Sequence, residues 1–143
     1  FRVVEIEGNR AKTSIVGYEI VPSSVKRFVR RASEKMDLSF SCETSDNVFL
    51  RVKPLVIARS DVKGSIAAKM RNNIAAYLAR TIKKMTYDNF MLELISHKLQ
   101  SEMRGFLNKI YPVKVCEIRY AGIEKRQRPQ EAKAEEVQEA QQQ

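Results

Sequence analysis

The sequence predicts an α+β fold: an antiparallel sheet, or a partly open barrel, of about five strands with roughly three to four helices packed against it. Two observations predict this class. Several short segments in the first 58 residues, and one near residue 115, alternate apolar and polar side chains with the period of a half-buried strand. Later stretches repeat apolar side chains every three or four residues, the period of a helix with one buried face.

The chain begins with a predicted β-hairpin. Residues 2–7 and 13–20 both alternate, and Gly8 and Asn9 between them readily adopt turn conformations. Gly17 interrupts the second strand, which predicts either a bulge or a close approach of another backbone segment.

A first helix is predicted over about residues 24–36, with Ser23 or Ser24 as its N-cap. Its apolar stripe should be buried and consists of Val25, Phe28, Val29, Ala32 and Met36. The opposite side carries basic side chains with no acidic one among them: Lys26, Arg27, Arg30 and Arg31. Such charges repel one another unless an anion lies nearby, so the helix either contacts a polyanion or is an ordinary solvated face.

Two further strands are predicted over residues 38–44 and 48–58, joined by a turn at residues 45–47. In the first strand the inward side chains are Leu38, Phe40 and Cys42. Pro54 cannot donate a ladder hydrogen bond, so the second strand either lies at a sheet edge there or contains a bulge.

A long helix is predicted over about residues 61–85, with Ser60 as its N-cap. The predicted buried stripe is Ile66, Met70, Ile74, Tyr77, Thr81 and Met85, and the opposite side carries Lys69, Asn72, Asn73, Ala76, Arg80 and Lys83. No acidic residue occurs between Asp61 and Asp88. This side is therefore a candidate phosphate-binding surface, and the candidate RNA-binding residues in this region are Lys63, Lys69, Arg71, Arg80, Lys83 and Lys84.

The rest of the folded region is predicted to contain helices over about residues 86–96 and 98–110 and a strand over 113–120. We expect residues 1–123 to form a single RNA-binding domain. Residues 124–143 form a basic and then acidic polar tail without a buriable stripe, which is typical of disorder. Its basic part adds three candidate RNA-binding residues: Lys125, Arg126 and Arg128.

The net charge is +9 over 143 residues, and it is unevenly distributed. Residues 129–143 carry a net of −3, which leaves +12 for residues 1–128. A compact body of this charge attracts polyanions, so nucleic acid is the favoured partner and an anionic membrane surface a distant second. A basic protein without a polyanion partner is the plain alternative. No apolar run is long enough to cross a bilayer, and no segment has the pattern of a signal peptide.

Nothing in the sequence predicts an enzyme, a cofactor, a metal site or a small-molecule substrate. The one histidine, His97, has no evident catalytic partner, and no nucleotide-binding glycine motif occurs. Cys42 and Cys116 lack zinc-site spacing and are predicted to be buried free thiols of a reducing compartment. The phenylalanines lie on predicted core stripes, so we expect binding through phosphates rather than through bases stacked on aromatic rings.

Four segments in register carry a resemblance to a known family: TSIVGYEIVPSSVKRFVRRASEKMD, TSDNVFLRVKPLVIAR, MTYDNFMLELISHKLQ and KIYPVKVCEIR. In this order they resemble the ribosomal protein S3Ae family of archaeal and eukaryotic small subunits. The sequence of the segments is more similar to the archaeal members. The resemblance covers about residues 1–123. Because family members start upstream of the position that matches Phe1, we expect an N-terminal segment to be missing here.

The resemblance implies a structural component of the small ribosomal subunit in the cytoplasm. Its implied place is the platform near the messenger RNA exit, in contact with small-subunit rRNA, neighbouring ribosomal proteins and messenger RNA. Many relatives carry basic pairs early in the long helix, where this chain has Ala67-Ala68 and Asn72-Asn73, so RNA contact there is expected to be weaker. A free-standing RNA-binding or translation-associated factor of the same fold is the alternative function.

Overall fold

The computed structural model describes residues 1–29 and 33–124. Within them the strands are β1 (Arg2–Glu7), β2 (Arg10–Ser14), β3 (Gly17–Glu19), β4 (Lys35–Asp37), β5 (Phe40–Glu43), β6 (Phe49–Ala58) and β7 (Val113–Ile123). The helices are α1 (Pro22–Phe28), α2 (Gly64–Ile82), α3 (Tyr87–Ile95) and α4 (Lys98–Asn108). The predicted α+β class is therefore confirmed.

The strands form two antiparallel sheets. β1 and β2 pair only with each other, as a hairpin. The other five strands form one sheet in the order β3, β7, β6, β4, and β5 pairs with the first half of β6. Of the two predicted arrangements, the described residues adopt the open sheet and not the barrel.

The pairing of β6 with β7 is the longest in the sheet. It runs from Leu50 opposite Ile123 to Ala58 opposite Val113. Its register shifts between Lys53 and Pro54, which explains how a central strand accommodates a proline. The bulge predicted at Pro54 is confirmed, and the edge position is wrong.

The core lies between one face of this sheet and helices α2, α3 and α4. Fully buried apolar side chains from both layers pack together there: Met36, Leu50, Val52, Val56, Met70, Ile74, Leu78, Ile82, Phe90, Met91, Leu94, Leu99, Met103, Leu107 and Ile118. Burying one such side chain contributes about 1.5–3 kcal/mol. This layer therefore holds the sheet and the three helices in fixed relative positions.

Helix α1 lies against the opposite face of the sheet, which we call the outer face. There it lines a cleft together with Lys53, Arg119 and Tyr120. Lys53 alternates along β6 with core-facing side chains. Arg119 and Tyr120 are neighbours in β7 and both line the cleft because the register shift opposite Pro54 leaves Arg119 without a partner in β6. Leu55 and Ile57 are also fully buried but lie outside the helical core cluster, on the same face as Lys53. The second half of β6 is thus covered on both sides.

The predicted helix over residues 24–36 is wrong in extent and in burial. α1 ends at Phe28, and Met36 lies in β4, paired with Val56 and fully buried in the core. No residue of α1 is fully buried, and Val29 is exposed. The helical spacing of apolar residues was overridden because pairing with β6 gives Met36 both ladder hydrogen bonds and core contacts.

The predicted strand over residues 13–20 is also corrected. It divides into β2, which ends at Ser14 in the hairpin, and β3, which pairs with β7 in the large sheet. Gly17 lies at this change of partner. A Cβ atom there would come within 2.9 Å of the Ala121 carbonyl oxygen, so the predicted close backbone approach is confirmed.

The long helix is present, but its start and its buried stripe differ from the prediction. α2 begins at Gly64 without a side-chain cap, and Ser60 instead lies with its hydroxyl 2.7 Å from that of Tyr111. Fully buried positions include Ala67, Leu78 and Ile82, which the predicted stripe left out. Some of the predicted members are only half-buried against the core: Ile66, Tyr77 and Met85. The stripe is therefore rotated around the helix, because α2 packs on the sheet and on α4 at once.

The turn predicted at residues 45–47 is present. Asn47 adopts φ +57° in the turn between β5 and β6. Cys42 and Cys116 are free thiols, half-buried and buried respectively. In the described part of the chain, no helix is long and apolar enough to cross a membrane.

Candidate nucleic-acid interface

One side of α2 forms a solvent-facing row, which we call the α2 row and define as Lys69, Asn72, Ala76, Arg80 and Lys83. All five residues are exposed. They face solvent because Met70, Ile74 and Leu78 on the other side of the helix are buried in the core. These buried side chains fix how the helix is rotated about its own axis. The row runs over 15 residues of near-helical backbone, and its first and last Cα atoms are about 21 Å apart along the helix axis.

The three cations of the α2 row are unpaired within the described residues. No carboxylate oxygen lies within 4.0 Å of Lys69, Arg80 or Lys83 there, whereas several other basic side chains have such partners. With no acidic residue between Asp61 and Asp88, their potentials add rather than cancel. The row is therefore a candidate surface for phosphate contacts.

The remaining candidates on this helix differ in exposure. Lys63 and Lys84 are exposed just before and just after α2. Arg71 is half-buried, and its Nη2 lies 3.5 Å from Glu34 Oε1. Asn73, which was predicted to lie on the side of the helix opposite the buried stripe, is half-buried. Arg71 is thus a weaker candidate than its neighbours, because part of its charge is already compensated.

The basic side chains of α1 lie on the other side of the sheet. Lys26 and Arg27 are exposed in its last turn, and Arg27 Nη2 donates to Ser24 Oγ at 3.1 Å. The structure therefore does not bring α1 and α2 into one surface. The other candidates lie outside the described residues: Arg30, Arg31, Lys125, Arg126 and Arg128.

Two basic residues near α1 were missed by sequence reasoning. Lys53 and Arg119 lie on adjacent strands of the outer face and line the same cleft as Lys26. Arg119 Nη1 is 3.1 Å from Asp37 Oδ2, and Lys53 Nζ is 5.0 Å from the ring centroid of Tyr120. Strand alternation showed that Lys53 points away from the core, but nothing local indicated that α1 would cover this face.

Arg51, next to Lys53 on the outer face, is already neutralised. Its Nη2 and Nε lie 2.8 and 2.9 Å from Glu124 Oε1, and Ser41 Oγ donates to Oε2 of the same carboxylate at 2.8 Å. The hydrogen bond from Arg51, followed by that from Ser41, lowers the pKa of Glu124. Arg51 is therefore not a free phosphate ligand.

The one histidine of the sequence, His97, lies beside a carboxylate. His97 is mostly exposed, with Nδ1 3.5 Å from Glu117 Oε2. Burial raises the pKa of Glu117, and the nearby imidazole opposes this. Burial also raises the pKa of Cys42 to about 11 and that of Cys116 to about 12, so both thiols are protonated and unreactive at neutral pH. The described residues contain no cluster of three potential metal ligands.

Fold and surface together define a basic α+β domain that presents an unpaired cationic helix to solvent. The chain belongs to the ribosomal S3Ae family, whose family model matches residues 1–127. The family resemblance seen in the four sequence segments is confirmed.

Three archaeal relatives carry the name small ribosomal subunit protein eS1. The proteins from Desulfurococcus amylolyticus, Methanothermobacter thermautotrophicus and Saccharolobus islandicus are 28%, 29% and 30% identical to this chain over 118 residues. These matches cover 82% of the chain and 55%, 60% and 57% of the respective relatives. The matched part of the chain thus spans somewhat more than half the length of these relatives.

Proposed function

We propose that this protein is a structural constituent of the small ribosomal subunit that binds rRNA and neighbouring ribosomal proteins and catalyses no reaction. The observation that carries the RNA-binding part is the α2 row, whose three cations have no carboxylate partner among the described residues. Membership of the ribosomal S3Ae family supports the ribosomal part, together with the name that the archaeal relatives carry.

Binding through the α2 row would be mainly electrostatic. Each lysine or arginine that contacts a phosphate releases condensed counterions, so the affinity falls as salt is added. Phosphate contacts fix position and orientation without reading base sequence. The rRNA itself would then supply the specificity, through the shape that it presents to a helix held rigidly on the sheet.

The finer assignments rest on the family resemblance. They are a place on the platform near the messenger RNA exit, contact with messenger RNA, and a cytoplasmic ribosome as the location. The proposal also divides the chain into an rRNA-binding unit, residues 1–123, and a polar tail, residues 124–143.

The test is a triple substitution of Lys69, Arg80 and Lys83 by Ala, with RNA affinity measured over a salt series. We expect weaker binding to all RNA sequences and a salt slope that is smaller by about one unit for each phosphate that is no longer neutralised. A charge-matched control replaces Arg2, Arg10 and Lys12, exposed basic residues of the hairpin, by Ala. If the control weakens binding as much as the α2 variant, general attraction explains the binding and the α2 row is not the interface.

The ribosomal assignment has its own test. The protein should sediment with small subunits and remain bound in moderate salt, because protein neighbours and shape complementarity add to the phosphate contacts. Release at low salt would instead favour a free-standing RNA-binding or translation-associated factor.

A further inference from the structure

A second surface with binding chemistry lies on the outer face of the sheet, opposite the α2 row. A cleft of about 300 Å³ separates α1 from strands β6 and β7. We call it the outer cleft. Its volume is at the lower end of the range for small-ligand sites and suits a single planar group with its substituents.

The apolar part of the outer cleft combines an aromatic ring with aliphatic side chains. Tyr120 contributes the ring from β7, and Ile20, Pro22 and Val25 contribute the facing wall at the start of α1. The ring leans over Gly122, where a Cβ atom would come within 2.6 Å of the tyrosine hydroxyl oxygen. The absence of a side chain at position 122 therefore lets the ring lie close to the sheet surface.

The polar part of the outer cleft is mostly positive. Lys26, Lys53 and Arg119 line it, against one acidic residue, Glu19. Arg119 is fixed by its ion pair with Asp37, and the ammonium of Lys53 lies over the Tyr120 ring. Within the described residues, no carboxylate oxygen lies within 4.0 Å of Lys26 or Lys53. A ligand that is planar and apolar on one side and negatively charged on the other complements this arrangement.

We propose that the outer cleft binds one unpaired nucleotide of single-stranded RNA, with the base against Tyr120 and the phosphate between Lys26 and Lys53. A base that stacks on the ring takes the position of the Lys53 ammonium, whose flexible side chain then turns to the phosphate. Single-stranded RNA is required because only an unpaired base can leave its neighbours and enter a cleft of this size. The inference rests on the proposed RNA-binding function and adds a second contact of a different kind.

The position of the outer cleft gives it a separate role. The α2 row and the outer cleft lie on opposite sides of the five-stranded sheet, so one RNA helix cannot contact both. A protein with phosphate contacts on one side and a nucleotide cleft on the other joins two RNA segments. The competing occupant is an acidic peptide with an aromatic side chain, because an aliphatic side chain has no flat ring for the tyrosine face.

The experiment measures binding of a short oligouridylate and of a duplex RNA to the full chain at one fixed salt concentration. Tyr120→Leu keeps apolar cover over Gly122 but removes the ring, and Tyr120→Phe is the matched control that keeps it. We expect Tyr120→Leu to weaken oligouridylate binding about tenfold, the loss for one stacked base, and Tyr120→Phe to change it less than about twofold. Duplex affinity should be unchanged in both variants.

A second measurement does not depend on the folding of the Tyr120→Leu variant. Oligouridylate that contains 4-thiouridine is cross-linked by light to the wild-type chain, and the modified peptide is identified by mass spectrometry. We expect the cross-link on Tyr120 or an adjacent residue of β7. A cross-link confined to α2 overturns the proposal.

The outcomes separate this inference from the proposed function. If wild-type protein binds neither RNA, the proposed function fails. If the α2 triple variant loses duplex binding while Tyr120→Leu binds oligouridylate like wild type, only the outer cleft is overturned. A peptide of alternating glutamate and phenylalanine that binds more tightly than oligouridylate, and loses affinity in Tyr120→Leu, assigns the cleft to a protein partner and also overturns it.

Discussion

The two sheets of this protein differ in burial, because only the larger sheet has a core. Every residue of β1 and β2 is exposed, including Val4 and Ile6. In β6, seven of the ten residues are buried and the other three are half-buried. The strands contribute to the difference, because β2 has no large apolar side chain whereas β6 has a run of them in its second half. The helices contribute as well, because α2, α3 and α4 cover the larger sheet and no described helix covers the hairpin.

An alternating sequence allows a strand to form but does not by itself make the strand stable. Burial by a second layer is what makes it stable, and an isolated two-stranded hairpin is marginal in water. The hairpin is therefore expected to open locally while the large sheet opens only with the whole domain. Substitutions in the two sheets and at their junction test this contrast.

Replacing the same residue type in the two sheets should give the largest difference. Ile118 of β7 has an exposed fraction of 0%, and Ile6 of β1 one of 72%. Ile118→Ala should lower the free energy of unfolding by about 2–5 kcal/mol, because it removes core contacts and leaves a cavity. Ile6→Ala should change it by less than about 0.5 kcal/mol. Urea denaturation measures both, and a cost at Ile6 above about 1 kcal/mol, on the order of a buried methylene, would show that something covers the hairpin.

The junction between the two sheets should be the next most sensitive position. Gly17→Ala forces a Cβ atom against the backbone of β7, which should cost about 1–3 kcal/mol. Gly64→Ala is the matched control, because a Cβ atom at Gly64 meets nothing within 4 Å. The control should be neutral or stabilising by up to about 1 kcal/mol. Equal thermal shifts in the two variants would contradict the close packing of β3 on β7.

The segment between the sheets is also tied to the helical layer by one hydrogen bond. The Tyr87 hydroxyl donates to the Ile15 carbonyl oxygen at 2.9 Å, and this site is partly buried. Tyr87→Phe should cost about 1 kcal/mol. Tyr77→Phe serves as the control, because the Tyr77 hydroxyl makes only a 3.4 Å contact with Glu102. Hydrogen exchange of β3 amides should accelerate in Tyr87→Phe and not in Tyr77→Phe.

The smallest effect is expected within the hairpin. Lys12 forms exposed ion pairs with Glu7 and Glu5, which raise the pKa of Lys12 in that order of importance. A raised folded-state pKa means that the contribution is present at neutral pH and is lost as the pH rises through that value. Lys12→Gln should nevertheless leave the urea midpoint of the domain unchanged, because the pairs are fully solvated. A shifted midpoint would mean that the hairpin unfolds together with the large sheet.

Local patterns predicted much of the fold and part of the candidate site. The α+β class, the three helices after residue 61 and the solvent-facing side of Lys69 and Arg80 all follow from hydrophobic periodicity, which is a property of neighbouring residues. The family could also be recognised from the sequence, because its characteristic segments occur in order along the chain. Charge composition indicated a polyanion partner without showing where it would bind.

Tertiary structure decided what depends on residues far apart in the chain. Met36 has helical spacing, but pairing with β6 drew it into a strand, and the packing of α2 on both the sheet and α4 brought Leu78 into the core. The outer cleft depends on three separate segments, because Lys26, Lys53 and Tyr120 meet only when β6 and β7 are paired and α1 lies beside them. A sequence pattern shows which secondary structure each segment prefers. Which partner the segment packs against is decided by the free energy of the whole chain.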